Sequence, residues 1–336
     1  MENKLQQILS SYNFTTKSVD KISIDKDVFK ITDDEEKSYF LKIFNRLEGN
    51  DILPGVNVYH TYEQIYLESE ILHLLSSSTL NTVIPIKNNK GKWVTITHSD
   101  MNDEASIYST ITSFVDAVSI EQSDASMIEM SFLAGVAAAQ LHVESEKKLL
   151  NIAVHRPHKR QEYIDEMIDR LSRGVELGTL SYTQFEILKE CSKYIKLCMN
   201  KLDDNPENNI GLVHTDIRAA NCMFVPNKVI PIDFSRSVFS YYLYDLGEMC
   251  AHMGRSDSTV ENAILRGYSS IKPLKKEEAI MIQAFYIMFL MMVICEDIEV
   301  SPNSRRNGIL NRFANEFLPC SMSGEGLFNP FVFEGI

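Results

Sequence analysis

As far as residue 111, apolar and polar positions mostly alternate with the period-two rhythm of half-buried strands. Residues 19–24, 28–31 and 38–44 predict three successive strands, and Asp33-Asp34-Glu35-Glu36 predicts a solvated turn between the second and third. Alternation in the third strand puts Lys42 on the face opposite Leu41 and Ile43. Residues 5–12 and 63–76 show helical spacing instead, with Ile65, Leu72 and Leu75 on one face of the second. Residues 83–86 and 92–97, on either side of Asn89-Lys90-Gly91, predict a hairpin, and 106–111 predict one more strand.

Beyond this point helical spacing dominates, over 126–142, 161–172, 182–201, 246–254, 259–269, 276–297 and 305–317. The exception is a pair of short apolar runs, 222–225 and 229–232, reversed by Pro226-Asn227-Lys228. The whole is therefore of the α+β class, a small sheet with one helix followed by a larger, mainly helical part. The run 285–294 is apolar throughout, but the apolar stretch around it, 279–295, falls short of the ~20 residues a membrane span needs and carries Gln283, which predicts a buried core helix. Small residues across 132–142 predict a closely packed helix in which His142 is structural. His155-Arg156-Pro157-His158-Lys159-Arg160, the densest basic cluster, reads as a solvated loop, and its two histidines have no third ligand at metal spacing.

Charge narrows the partners. With 46 acidic against 33 basic residues the formal net charge is −13, so nucleic acid and anionic membrane surfaces are poor partners and a neutral or cationic small molecule fits better. The six cysteines form no Cys-x-x-Cys pair, and the first residues carry no apolar signal-like run, so the expectation is a cytoplasmic protein with reduced thiols.

The chemistry concentrates in residues 213–234. A polar loop carrying Asp216 and Asn221 enters the strand 222–225, and the return strand ends at Asp233. Two oxygen donors of this kind suit Mg²⁺, which shares its positions between carboxylates, waters and substrate phosphates, and a third group is left for proton work. His214 reads as a packed histidine holding the loop, since Asp216 already supplies the proton acceptor.

His214-x-Asp216-x₄-Asn221, then Ile232-Asp233-Phe234, then Tyr244-Asp245-Leu246 resembles the aminoglycoside phosphotransferase/choline kinase superfamily, including the type II homoserine kinases. The resemblance implies a bilobal protein-kinase-like fold: a nucleotide-binding lobe over 1–111, with a small antiparallel sheet and one helix, and a mainly helical catalytic and acceptor-binding lobe over 112–336. It implies ATP, or another nucleoside triphosphate, with Mg²⁺ as cofactors. Asp216 would accept the proton of the attacking hydroxyl, Asn221 and Asp233 would hold the metal, and Asp245 would brace the loop through backbone hydrogen bonds. Arg218 falls near the place where protein kinases put a lysine that neutralises the transferring phosphate. Lys42 would grip the α/β-phosphates and pair with Glu68, with Glu70 and Glu63 as lesser matches, while the hinge at 112–114, with Ser113 and Phe114, would meet the purine. One departure stands out: the loop Asp25-Lys26-Asp27, where the resemblance leads one to expect glycine, has none.

The acceptor implied is a small hydroxyl-bearing molecule such as an amino sugar, amino alcohol, choline-like alcohol or homoserine. Glu296, Asp297 and Glu299 crowd the end of a long helix, where the macrodipole disfavours anions, and so are candidates for binding a cationic acceptor. A protein Ser/Thr kinase is the alternative, although only eleven residues lie between Asp233 and Asp245, too few for a long activation segment. A nucleotide-binding module without catalysis is the other, and it would be marked by loss of a residue that is in fact present. A P-loop kinase is excluded because no Gly-x₄-Gly-Lys-Ser/Thr run occurs.

Overall fold

The computed structural model describes residues 2–24, 26–44, 61–80, 82–99, 102–117, 124–254, 257–299 and 304–323. The described residues up to 117, joined by Ile232–Ser235, form one compact unit, and the remainder form a second.

The first unit contains α1 (Glu2–Leu9), β1 (Thr16–Lys21), β2 (Val28–Asp33), β3 (Ser38–Phe44), α2 (Tyr62–Ser76), β4 (Pro85–Ile86), β5 (Thr95–Ser99) and β6 (Asn102–Ser113). Its antiparallel sheet runs β1-β2-β3-β6-β4, with β5 also on β6. Alternation works as expected in β3: Tyr39, Leu41 and Ile43 pack with Phe29, Ile31 and Ile111 beneath Ile8 and Tyr12, while Lys42 lies on the other face. The α2 helix opens at Thr61, whose Oγ1 accepts from Gln64 N at 3.3 Å, and it packs Ile65 with Phe44, Trp93 and Val94.

Several expectations need correction here. The 83–86 and 92–97 runs do not pair with each other. Both pair with β6, because Asn88 Oδ1 accepts from Lys90 N and Lys92 N and Trp93 and Val94 turn into the α2 cluster. The first strand lies three residues earlier than predicted; it is an edge strand, and Ile22 and Ile24, which suggested the later span, are exposed. Asp33 is not solvated but buried, accepting from Glu35 N, Lys37 N and Tyr39 OH. The predicted boundary after residue 111 falls within β6, which still pairs at Thr112 and Ser113.

The second unit contains α3 (Asp124–Glu144), α4 (Leu150–Ala153), β7 (His158–Lys159), α5 (Gln161–Glu176), α6 (Tyr182–Asp203), α7 (Pro206–Asn209), β8 (Ile210–Val213), β9 (Cys222–Val225), β10 (Lys228–Pro231), β11 (Val238–Tyr241), α8 (Leu243–Met249), α9 (Ser258–Ser269), α10 (Lys276–Glu296), α11 (Ser304–Arg312) and α12 (Leu318–Ser323). The β9–β10 hairpin turns at Asn227 in the left-handed region, and β11 pairs antiparallel with β8 and parallel with β7. The apolar helix α10 is buried from Ile282 to Cys295 in the core of this unit, as an all-round apolar pattern requires.

The basic cluster is not the solvated loop its composition suggested. Pairing of β7 with β11 draws it inward: Lys159 is 1% exposed and Arg156 4% exposed. Arg156 Nε donates to Ser237 O, Lys159 Nζ donates to Tyr244 OH at 3.1 Å, and Arg160 pairs with Asp203. Only His155 and His158 of the cluster are exposed.

Helices α3 and α9 touch backbone to backbone. A Cβ on Gly267 would lie 1.9 Å from Phe132 O, and one on Gly135 would lie 2.1 Å from Ile264 O. Gly267→Ala should therefore force the helices apart and lower stability by about 1–3 kcal/mol, the usual cost of overpacking. Urea midpoints of the two proteins measure this, and an unchanged midpoint would contradict the contact.

Candidate active site

In the first unit, two residues 191 positions apart in sequence meet: Lys42 Nζ donates to Asp233 Oδ1 at 2.8 Å. Ser235 Oγ donates to the same oxygen at 2.5 Å. Asp233 has φ +63°, a left-handed conformation that Asp tolerates better than most residues, so the chain leaves β10 through a sharp turn. Burial alone would raise the Asp233 pKa, but the Lys42 ammonium and the Ser235 hydroxyl hold it well below the usual carboxylate range. Burial likewise opposes the charge on Lys42, and the carboxylates of Asp233 and then Glu68 outweigh it and raise its pKa. Glu68 is 8% exposed on α2, whereas Glu63 faces solvent and Glu70 is half-buried.

The hinge residues are already engaged in the sheet. Ser113 N donates to Ile84 O at 2.8 Å and Phe114 N to Ser38 O at 3.2 Å, while Lys30 Nζ lies 4.5 Å from the Phe114 ring. Those two amides, which the purine reading would use, lie at the end of β6 and just beyond it. In the glycine-free loop, Asp27 pairs with Lys21 at 3.4 Å; Asp25 lies outside the described residues.

In the second unit, β8 delivers the loop that carries His214, Asp216 and Asn221. Asp245, 1% exposed on α8, holds its start: Oδ2 accepts from His214 N at 2.9 Å and Oδ1 from Thr215 N at 2.7 Å. His142 Nε2 lies 3.0 Å from Asp245 Oδ2, and His142 Nδ1 lies 2.9 Å from Tyr268 OH. Burial would raise the Asp245 pKa; the bond and charge of His142 and the neighbouring His214 lower it, so the carboxylate stays ionised. Thr215 takes φ +57° and its Oγ1 donates to Arg236 O at 2.7 Å, completing the turn that presents Asp216.

Asp216 is 5% exposed. Asn221 Nδ2 donates to its Oδ2 at 2.6 Å and to its backbone O at 3.0 Å, and Arg218 Nε forms an ion pair with Oδ1 at 2.9 Å. The predicted acids at the end of α10 diverge: Glu296 pairs with Arg236 at 3.2 Å, Glu299 with Arg170 at 3.9 Å, and Asp297 caps α10 while its backbone O accepts from Arg306.

Sequence reasoning passed over Arg236, Glu248 and His252, and placed Lys159 in a solvated loop. Glu248 lies on α8 three residues after Asp245, 1% exposed, and one ligand atom each from Asp216, Glu248 and His252 lie within 4.8 Å of one another. An acid inside the otherwise apolar helix around Tyr244-Asp245-Leu246 was the available signal. For Arg236 it was the cation two residues after Ile232-Asp233-Phe234.

The model of the phosphotransferase enzyme family that includes the aminoglycoside phosphotransferases matches residues 22–279. The chain belongs to this family. Among solved structures, an amicoumacin kinase in complex with AMP-PNP and Ca²⁺ aligns with TM-score 0.70 at 15% identity, over 98% of this chain and 95% of that chain. A microcompartment-associated aminopropanol kinase aligns with TM-score 0.71 at 16% identity, over 97% of this chain and 99% of that one. An aminoglycoside phosphotransferase from Alicyclobacillus acidocaldarius aligns with TM-score 0.64 at 12% identity, over 95% of each chain. A search of curated protein sequences found no match. As the likeness to these kinases implies, the fold is the α+β fold of small-molecule kinases.

The Lys42–Asp233 pair carries a pH signature. Because the Asp233 pKa is lowered on folding, its stabilisation is complete above the ordinary aspartate value of about 4 and drains away as pH falls toward the lowered one. Asp233→Asn should cost about 2 kcal/mol at pH 7, the scale of a charged hydrogen bond, and less at pH 3. Urea unfolding at both pH values tests this; an equal cost at both would show that the ionised pair is not the source of the stabilisation.

Proposed function

We propose that this phosphotransferase moves the γ-phosphoryl group of ATP to a hydroxyl of a small, amine-bearing molecule, with Asp216 as the proton acceptor. The observation that carries this reading is the loop itself: a buried Asp216 whose carboxylate is oriented by Asn221 and whose backbone is pinned by Asp245. Preorganisation of this kind is what phosphoryl transfer asks of a protein, since most of the catalysis is positioning and charge neutralisation.

In the proposed reaction the hydroxyl proton passes to Asp216 as the acceptor oxygen bonds to the γ-phosphorus and the bond to the bridging oxygen of ADP breaks. Lys42 is the cation for the nucleotide phosphates, kept charged by Asp233 and Glu68. Arg218, its side chain 43% exposed, pairs with Asp216 and supplies charge to the transferring group. Asp233, held ionised, and Asn221 are the hard oxygen donors that fit Mg²⁺. That ion, when bound, neutralises phosphate charge.

The acidic charge balance supports an amine-bearing acceptor, which agrees with the acceptors named for the aminopropanol kinase and the aminoglycoside phosphotransferase. The short interval between Asp233 and Asp245 argues against a protein acceptor.

An ATP-consumption screen across hydroxyl compounds with and without an amine tests the reading, with Asp216→Asn as the blank. Asp216→Asn should retain Mg²⁺-dependent stabilisation by ATP and lose turnover by about 10²–10⁴-fold, the range for a general base. Turnover within a few-fold of the wild type would remove Asp216 from its role. Arg218→Ala should lower the turnover rate and leave ATP affinity unchanged; equal rates would make Arg218 a surface residue.

A further inference from the structure

We propose that Asp216, Glu248 and His252 form a binding site for a transition-metal dication of the zinc class, and that filling it silences the catalytic carboxylate. The silencing rests on the phosphotransferase reading above; the binding does not.

Three side chains each bring one ligand atom to a common point, all within 4.8 Å of one another. Glu248 Oε1 and His252 Nε2 are 3.6 Å apart. Around a tetrahedral ion with bonds of about 2.1 Å, neighbouring ligands stand roughly 3.4 Å apart, so the Glu248–His252 edge is close to metal spacing already. Glu248 ends α8 and His252 sits in the π-helical turn Cys250–Gly254 that continues it, four residues on. That offset puts both side chains on one face, and π turns inside helices are rare and recur at functional sites.

A second observation comes from Glu248 alone. It is 1% exposed, and among the described residues neither of its carboxylate oxygens has a donor within 3.5 Å, His252 Nε2 being 3.6 Å away. Burying a carboxylate in that condition is expensive, and native structures rarely do it without a partner. Asp216, by contrast, is held by Asn221 in the way that ligating carboxylates are usually held. The ring of His252 is tilted against Phe289 at 4.7 Å, which limits its rotation.

Cations also face the cluster. Arg236 is coupled to Glu248 and Asp216 but pairs with Glu296, Lys159 is held by Tyr244 OH and Met292 Sδ, and Arg218 pairs with Asp216. They weaken the binding of a dication, and Arg218 competes with it for Asp216. The donor set selects the metal: one imidazole and two carboxylates suit zinc, cobalt or nickel, whereas Mg²⁺ prefers oxygen ligands and water. The site is thus chemically separate from Asn221 and Asp233. A carboxylate that ligates a dication is a much weaker base toward a hydroxyl proton, so occupancy suppresses transfer.

The test titrates Zn²⁺ alone into the full chain by calorimetry, and Co²⁺ alone with visible absorption as the readout. One ion per chain should bind, with the strong visible bands of four-coordinate Co²⁺. His252→Asn and Glu248→Gln should each weaken binding at least ~10-fold, the loss that follows removal of even a supporting residue. In excess Mg²⁺, Zn²⁺ should inhibit ATP turnover by the wild type, and His252→Asn should keep its turnover and escape inhibition. No stoichiometric binding, or binding unchanged in both variants, overturns the site. Binding without inhibition of an active enzyme overturns the silencing. A protein that binds Zn²⁺ as expected yet never consumes ATP would refute the phosphotransferase reading and leave the metal site standing.

Discussion

Burying a carboxylate is costly unless hydrogen bonds replace the water it loses, and Asp245 meets that cost by gathering the centre of the second unit around itself. Its three partners come from two places in the chain: His142 on α3, and the backbone amides of His214 and Thr215 at the start of the loop. His142 is itself fixed by Tyr268 on α9. That last contact needs α3 and α9 to lie closer than side chains normally permit, and Gly135 and Gly267 allow it. Packing of small residues is thereby linked through His142 and Asp245 to the orientation of Asp216. Removing a partner would leave buried charge unpaired, which costs more than the bond itself contributes.

Around this anchor the second unit carries an unusual load of interior charge. Lys159 and Glu248 are almost wholly buried, and Arg236 is shielded beside them. Burial pulls the Lys159 ammonium down to about 8, although Glu248 acts in the opposite direction. Burial pushes the Glu248 carboxyl up, against the pull of His252 and Lys159. Charged groups held out of water and close to Asp216 make its surroundings responsive to small additions of charge. A substrate cation or a metal ion there would be felt strongly, because little solvent screens it.

The two units divide the proposed work. The first stores a lysine–aspartate pair drawn together from distant parts of the chain, with Glu68 adding to the field on Lys42. The second holds the loop with Asp216, the proposed proton acceptor. In both, left-handed turns at Asp233 and Thr215 aim the functional side chains, and the strain is borne by neighbouring hydrogen bonds from Ser235 and to Arg236.

The sequence by itself determined the elements and the local motif. Period-two and helical patterning located β3, α2, α10 and the β9–β10 hairpin, and short spacing joined Asp216 to Asn221, because residues five apart in a tight loop have little freedom to separate. Family resemblance implied a bracing role for Asp245, whose carboxylate accepts two backbone hydrogen bonds at the start of the loop. Tertiary structure alone decided the rest. It turned a basic cluster inward at β7, since pairing with β11 depends on contacts far along the chain. It sent the β4 and β5 runs to β6 rather than to each other, and buried Asp33, whose side chain bonds its own turn. It also brought Glu248, His252 and Asp216 within reach of one another. A charged residue in an apolar helix signals only that something must compensate it, and what compensates it is fixed by which helices pack together.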